Sequence, residues 1–347
     1  MKNVSAFSNT AQNRGGNLAD SQISITIYAI RCIAILSVIT AHLNVIDNSD
    51  LLSSIITHIW AIIARFGVPC FLITGGYYYH REKNDTISFW RKKIFSVLIP
   101  WIIASFFTYT MHSVLHKSWS IIGYLKWFIG SNSLYYYMTV YVIMLVLFKF
   151  VTKTPHLVMM IFLTFGSLVL EQMKIYNDYG HTLITSYLNP LNWVGFFAFG
   201  ILIRRFGLEK KVDKPILIIS FTVLLGFAAI ELYLDQLSYF SIFNPITQTA
   251  LLIILFGLFN RIQIKDNSIY KKIILFIGTN SLIIYLYHIQ IVQFSLNRLL
   301  NAWFIYLIRP FLGLFIMVVL IYVGYTVLKL VPFGKNIMKY IGLNKPK

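Results

Sequence analysis

Apolar residues in this chain run in long, nearly unbroken blocks. Ile94–Tyr109 and Phe311–Leu328 are two of them. A membrane β-strand would alternate apolar and polar positions over ~10 residues, whereas a spanning helix needs ~20 mostly apolar ones. The blocks therefore predict helices. Ten such windows can be read, at about 23–45, 52–79, 94–112, 133–150, 157–172, 188–203, 214–234, 243–260, 273–294 and 304–328. No connection exceeds about 25 residues and no internal repeat is evident, so no separate soluble domain is expected. The expected fold class is all-α, a polytopic membrane helix bundle of about ten transmembrane helices (residues 23–330). Residues 1–22 are polar and read as a disordered cytoplasmic tail, and residues 331–347 as a basic cytoplasmic tail. The first apolar run begins at Ile23 with no cleavage site after it, so it is read as a retained span rather than a signal peptide.

Composition strengthens this picture. Hydrophobic residues make up 57% of the 347 and charged ones 12%, against roughly a quarter charged in soluble domains; mean hydropathy is +0.69. The net charge of +18 would suggest nucleic acid in a soluble protein, but its placement argues otherwise. With the N-terminus inside, 23 of the 30 basic residues fall on cytoplasmic segments, among them Arg81, Lys83, Arg91, Lys92, Lys93, Arg204 and Arg205. The outer side keeps Lys117, Lys126, Lys174, Arg298 and Arg309. This positive-inside bias predicts both termini in the cytoplasm and contact with anionic lipid, and it leaves no concentrated patch for nucleic acid. Cys32 and Cys70 fall inside spans and offer neither a disulfide framework nor a metal-ligand spacing.

Ionisable residues within spans cost roughly 2.5–3.5 kcal/mol on insertion scales, so each needs a reason. The first span carries Arg31 and His42, 11 residues apart. On a helix that is roughly 16 Å of rise and about 20° of rotation, which puts both on one face, arginine inward and histidine outward. Taken singly, Arg31 is equally explained by snorkelling and His42 by an interfacial position. Their shared face favours a polar pathway. The second span adds His58 in its outer half and Arg65 near its middle, too deep for either interface, so Arg65 is expected to face the interior and a partner. Gly67, Pro69, Gly75 and Gly76 loosen that helix or let backbones approach. The ninth span holds Asn280, Ser281, Tyr285, Tyr287 and His288; an interhelical hydrogen-bond network explains these as readily as a site does.

With these residues in view, the chain resembles membrane acyltransferase family 3. Arg31 and His42 match the family's Arg, ten residues, His in the first span. Arg65 followed by Val68–Pro69–Cys70–Phe71–Leu72–Ile73–Thr74–Gly75–Gly76–Tyr77 is similar to its second-span motif, with Thr74 where Ser is usual. Ser133–Tyr137 with Tyr141, Phe196–Leu202 and Asn280–His288 resemble later motifs. The family's second arginine ahead of the third span is missing: Ser96 stands there, before Pro100–Trp101, leaving Arg91, Lys92 and Lys93 as possible electrostatic substitutes.

The resemblance implies acyl transfer, commonly of acetyl, from cytoplasmic acyl-CoA to a hydroxyl of an extracytoplasmic carbohydrate or lipid-linked sugar. Acyl-CoA is then a substrate, and no cofactor or metal is expected to stay bound. In that reading Arg91, Lys92 and Lys93 meet the CoA phosphates, Arg31 steadies the pantetheine or thioester end, and His42 is the general base, with Arg65 as an alternative oxyanion partner. His58, Tyr285 and His288 are candidate supporting groups. Direct transfer and an acyl-histidine intermediate both stay open. Intramembrane Arg and His also suit a proton-coupled transporter or a non-catalytic polysaccharide-export component, although the lack of a repeat and of mid-membrane Asp or Glu weighs against transport.

Overall fold

The computed structural model describes residues 4–79, 87–131, 133–151, 153–173, 185–262, 264–265, 268–296 and 302–344, with only the helical backbone described for 4–22 and 290–296. The basic residues Lys2, Arg81, Lys83, Lys174, Arg298, Lys345 and Lys347, which enter the charge bias, lie outside the described residues, as does the side chain of Arg14.

All regular structure among the described residues is helical. In chain order the α-helices are α1 (Val4–Leu43), α2 (Leu51–Ala64), α3 (Gly67–Tyr77), α4 (Ile87–Lys93), α5 (Ile99–His116), α6 (Ile121–Ile129), α7 (Tyr136–Leu147) and α8 (Thr154–Gln172). They continue with α9 (Val194–Phe206), α10 (Lys214–Tyr233), α11 (Asn244–Phe259), α12 (Ile269–Thr279), α13 (Ser281–Leu296), α14 (Trp303–Leu330) and α15 (Gly334–Ile341). Starts follow local chemistry. Asp50, Ser120, Asp213 and Ser268 each accept the orphan N–H of a residue three positions on. Backbone helix also continues from the first span back to Val4, through the segment whose polar composition suggested a disordered tail.

Among the described residues six stretches are long and apolar enough to cross a bilayer: Ile23–Leu43, Leu51–Tyr77, Ile87–His116, Thr154–Gln172, Lys214–Tyr233 and Trp303–Leu330. The pair Ile269–Thr279 and Ser281–Ile289 meets the same test when taken together but is bent by 63° at its break, as a broken span or a re-entrant loop is. The other three windows fall on α7, α9 and α11, of 12, 13 and 16 residues. Such helices rise only ~18–24 Å, short of the ~30 Å hydrocarbon core. Each buries part of its surface in the bundle, including Met138 and Met144 on α7, Phe197 on α9 and Leu252 on α11. Helix α9 packs between α3 and α8, and irregular backbone at membrane depth is tolerated where protein covers it.

Helix α1 is the central element, packed on α2, α3, α12, α13 and α14, with Ile30, Ala34, Ile35 and Ile39 fully buried. Helices α10 and α14 are peripheral and expose Ile218, Ile219, Phe311 and Phe315, as lipid-facing helices do. Two glycines allow α3 and α9 to touch backbone to backbone. A Cβ on Gly76 would stand 2.0 Å from the Phe197 carbonyl oxygen, and one on Gly200 2.0 Å from that of Ile73.

Two irregularities in the helices have local causes. Pro100 has no N–H to give the Ser96 carbonyl, and its ring crowds that carbonyl. The chain widens there into a π-helical turn, Ile94–Leu98, closed by the Ile99 N–H on the Ile94 carbonyl. Asn280 is the second. Its buried side chain donates to the Phe276 carbonyl at 2.9 Å, and the chain turns there between α12 and α13.

Candidate active site

A cavity of about 1130 Å³ opens beside α1, walled by α3, the α4–α5 junction, α7 and the segment around α15. Among the described residues Arg31, Arg91, Lys92, Lys93, Lys329, Lys335 and Lys339 line it, and no carboxylate does. One sign of charge along low-dielectric walls focuses potential and concentrates anions. Lys93 is fixed in place: its Nζ donates to the Tyr141 hydroxyl at 2.9 Å and lies 5.6 Å from the Phe89 ring centroid. Arg91 and Lys92 are exposed at the mouth. The π-helical turn brings Phe95, Ser96 and Val97 onto the wall, so Ser96, where the family pattern has arginine, faces the same cavity.

Arg31 reaches the cavity from α1. Its Nη2 donates to Ser281 Oγ at 2.8 Å, the first residue after the α12–α13 break. Its buried Nε has no acceptor among the described residues. An unmet buried donor of this kind is rare and invites a ligand.

His42, at the other end of α1, does not line the cavity. It is half-buried and meets His288, with ring centroids 5.2 Å apart and planes tilted by 46°. His288 Nδ1 lies 2.7 Å from the Tyr285 carbonyl, which only accepts, so Nδ1 carries the hydrogen. Nε2 of His288 is buried and has no partner among the described residues. Tyr285 lies 5.9 Å from His288 and 5.2 Å from Tyr137, which is itself on the cavity wall. Tyr137, Tyr285, His288 and His42 thus form a continuous line of rings from the cavity to the far end of α1. Tyr135 anchors this line from the other side, donating to the Leu286 carbonyl at 2.9 Å.

Arg65 lies elsewhere. Nη1 and Nη2 bind Glu231 Oε1 and Oε2 at 2.5 and 2.8 Å, and Nη1 also reaches the Ser238 carbonyl at 3.2 Å. The side chains are 4% and 0% exposed. The interior partner expected for Arg65 is thus Glu231. A bidentate pair occupies the guanidinium fork and ties α10 to the α2–α3 junction. His58 forms a contact within its own helix, Nδ1 to the Ser54 carbonyl at 2.7 Å, and does not line the cavity.

A family model described as an acyltransferase domain matches residues 25–329. The chain belongs to membrane acyltransferase family 3. No curated protein and no solved structure matches it. Of the acyltransferase's expected site residues, the structure gathers Arg31, Arg91, Lys92 and Lys93 at the cavity, and His42, Tyr285 and His288 beyond it. It places Arg65 and His58 apart from both. Sequence reading missed Ser281 as the partner of Arg31, and Lys335 and Lys339 on the wall. The four-residue spacing of those two lysines puts them on one face of a helix and was the available signal.

Proposed function

We propose that this acyltransferase moves an acyl group, most simply acetyl, from cytoplasmic acyl-CoA to a hydroxyl of an extracytoplasmic carbohydrate or lipid-linked sugar. It does so in a bacterial-type cytoplasmic membrane. The observation that carries this reading is the cavity lined by seven cations, with Arg31 on its wall and a histidine pair beyond it. CoA is a cytosolic polyanion with a long neutral arm. A charged mouth narrowing to an aromatic line suits both parts. In the proposed topology about ten segments cross or enter the bilayer and both termini are cytoplasmic, which puts Arg91, Lys92 and Lys93 on the side where CoA is present.

In the reaction, Arg91, Lys92 and Lys93 hold the phosphates, and Arg31 steadies the pantetheine arm through donors that Ser281 leaves free. The arm passes Tyr137 and Tyr285 to bring the thioester to His42. His42 takes the proton of the acceptor hydroxyl as its oxygen attacks the thioester carbon. The C–S bond then breaks, and the departing thiolate takes up the proton held by the imidazole. Such a base contributes ~10²–10⁴-fold to rate. His288 packs on His42 and sets its orientation.

The test is thiol release from acetyl-CoA by purified protein in nanodiscs with acceptor glycan. His42→Ala is expected to lose at least ~100-fold in kcat, and Arg31→Ala to raise the donor KM. Full turnover by folded His42→Ala would overturn the base assignment. Mass spectrometry of surface glycans from deletion and complemented strains identifies the acceptor, and succinyl-CoA run beside acetyl-CoA identifies the acyl group.

A further inference from the structure

The cavity has one wall that belongs to no expected span. After α14 the chain reverses tightly: Phe333 takes a left-handed φ of 64°, and Gly334 packs so close that a Cβ would lie 1.6 Å from the Leu328 carbonyl oxygen. Helix α15 then runs back against α5 and the π-helical turn, burying Met338. Gly342, at φ 79°, turns the chain inward so that Leu343 is buried as well. Lys335 and Lys339 share the cavity-facing side, and Lys339 Nζ sits 4.6 Å from the Phe95 ring centroid.

The segment is also fastened at its far end. The Asn344 backbone N–H donates to Asn280 Oδ1 at 2.8 Å, and Asn344 Nδ2 donates to the Thr279 carbonyl at 3.1 Å. Asn280 is the residue at the α12–α13 break, directly before the Ser281 that accepts from Arg31. The wall and the arginine are therefore held from one point. The family match ends at residue 329, so this segment lies beyond it.

We propose that Gly334–Asn344 is a clasp completing the donor site: Lys335 and Lys339 bind phosphate groups of the donor, and Asn344, by gripping Asn280, positions both those lysines and the Ser281–Arg31 contact. The clasp rests on the acyl-CoA reading of the cavity. A basic amphipathic helix can also lie on anionic headgroups through the same phosphate chemistry. The cavity favours a bound donor, because the two lysines join five other cations around one space, with no carboxylate among its described lining residues.

The experiment measures binding of coenzyme A to the full chain in phosphatidylcholine nanodiscs by calorimetry. The Lys335→Gln/Lys339→Gln double variant is expected to raise Kd roughly ten- to a hundred-fold, as loss of charge-assisted hydrogen bonds does. Lys335→Arg/Lys339→Arg should restore most of it. Asn280→Ala keeps every charge but removes the Oδ1 that accepts the Asn344 N–H, and is expected to raise Kd several-fold (~3–10) through lost positioning. The charge-matched control Lys211→Gln/Lys214→Gln, away from the cavity, should leave Kd unchanged. Pantetheine, which has no phosphate, should bind the double variant and the unaltered protein alike.

Unchanged coenzyme A affinity in the glutamine variant overturns the clasp while leaving the donor reading intact. An equal loss for pantetheine also overturns it, because the lysines would then be structural. So does a loss seen only with phosphatidylglycerol in the discs, which assigns the lysines to lipid. If the unaltered protein binds no coenzyme A, the donor reading fails and the clasp with it.

Discussion

Glu231→Gln is the most informative single substitution outside the cavity. It keeps the shape of the side chain and one acceptor but leaves the Arg65 charge, 4% exposed, without its counter-ion. Removing one member of a buried pair typically costs ~3–5 kcal/mol, because the remaining charge stays desolvated. Two charge-assisted bonds, at 2.5 and 2.8 Å, support the upper part of that range. The folding equilibrium should fall by roughly two to four powers of ten. Replacing both partners by apolar residues of similar volume, Arg65→Met with Glu231→Leu, should recover most of the loss. Unfolding in detergent followed by tryptophan fluorescence reads all three proteins. A double variant as unstable as Glu231→Gln, or a neutral Glu231→Gln, would refute the structural role. The same series tests the oxyanion alternative. If Arg65 acts on the reacting carbonyl, the stable double variant loses kcat at unchanged stability; if it is a strut, activity returns with the fold.

Other outcomes rest on the same geometry. Gly76→Ala drives a methyl into the Phe197 carbonyl, and forcing α3 from α9 should cost ~1–3 kcal/mol, read as a lowered unfolding temperature. His288→Phe keeps a ring against His42 but removes the Nδ1 contact to the Tyr285 carbonyl; about a tenfold or greater fall in kcat at similar donor KM is expected, and full turnover would remove His288 from the site. Tyr141→Phe releases Lys93 and should raise the donor KM about two- to tenfold, the worth of one modest hydrogen bond, in steady-state kinetics. In the α1–α2 loop, hydrogen bonds from the Ser49 N–H and the Tyr306 hydroxyl hold Asp47 below the usual carboxylate range, and those from the Ser53 hydroxyl and N–H do the same for Asp50. A depressed carboxylate stabilises above its unfolded pKa, and the contribution is lost as pH falls through the folded value. Hydrogen exchange of the Ser49 and Ser53 amides should therefore quicken on acidification, beyond the chemical trend, with no such change near neutrality.

The membrane bundle was legible because its signals are local. Apolar runs, the proline behind the π-helical turn and the capping residues each act within a few positions of themselves. Arg31 and His42 stood out for the same reason, since an ionisable group in an apolar run is visible without its neighbours. Span counting was harder at α7, α9 and α11. Hydropathy reports what a residue prefers, whereas a short helix that packs part of its surface on protein does not have to match the bilayer's thickness. The basic stretch after α14 read as a tail because nothing in its composition says that Asn344 meets Asn280.

Taken alone, the sequence determines an all-helical membrane protein of the acyltransferase family, with Arg31 and His42 on one face of its first span. Tertiary structure decides the company those residues keep. Ser281 lies 250 positions from Arg31, and Glu231 lies 166 from Arg65. Only folding shows that the first pair stands at the cavity and the second is a buried strut. A side chain's role depends on what removes it from water and what then satisfies its charge, and in a bundle both are supplied by helices remote in the chain.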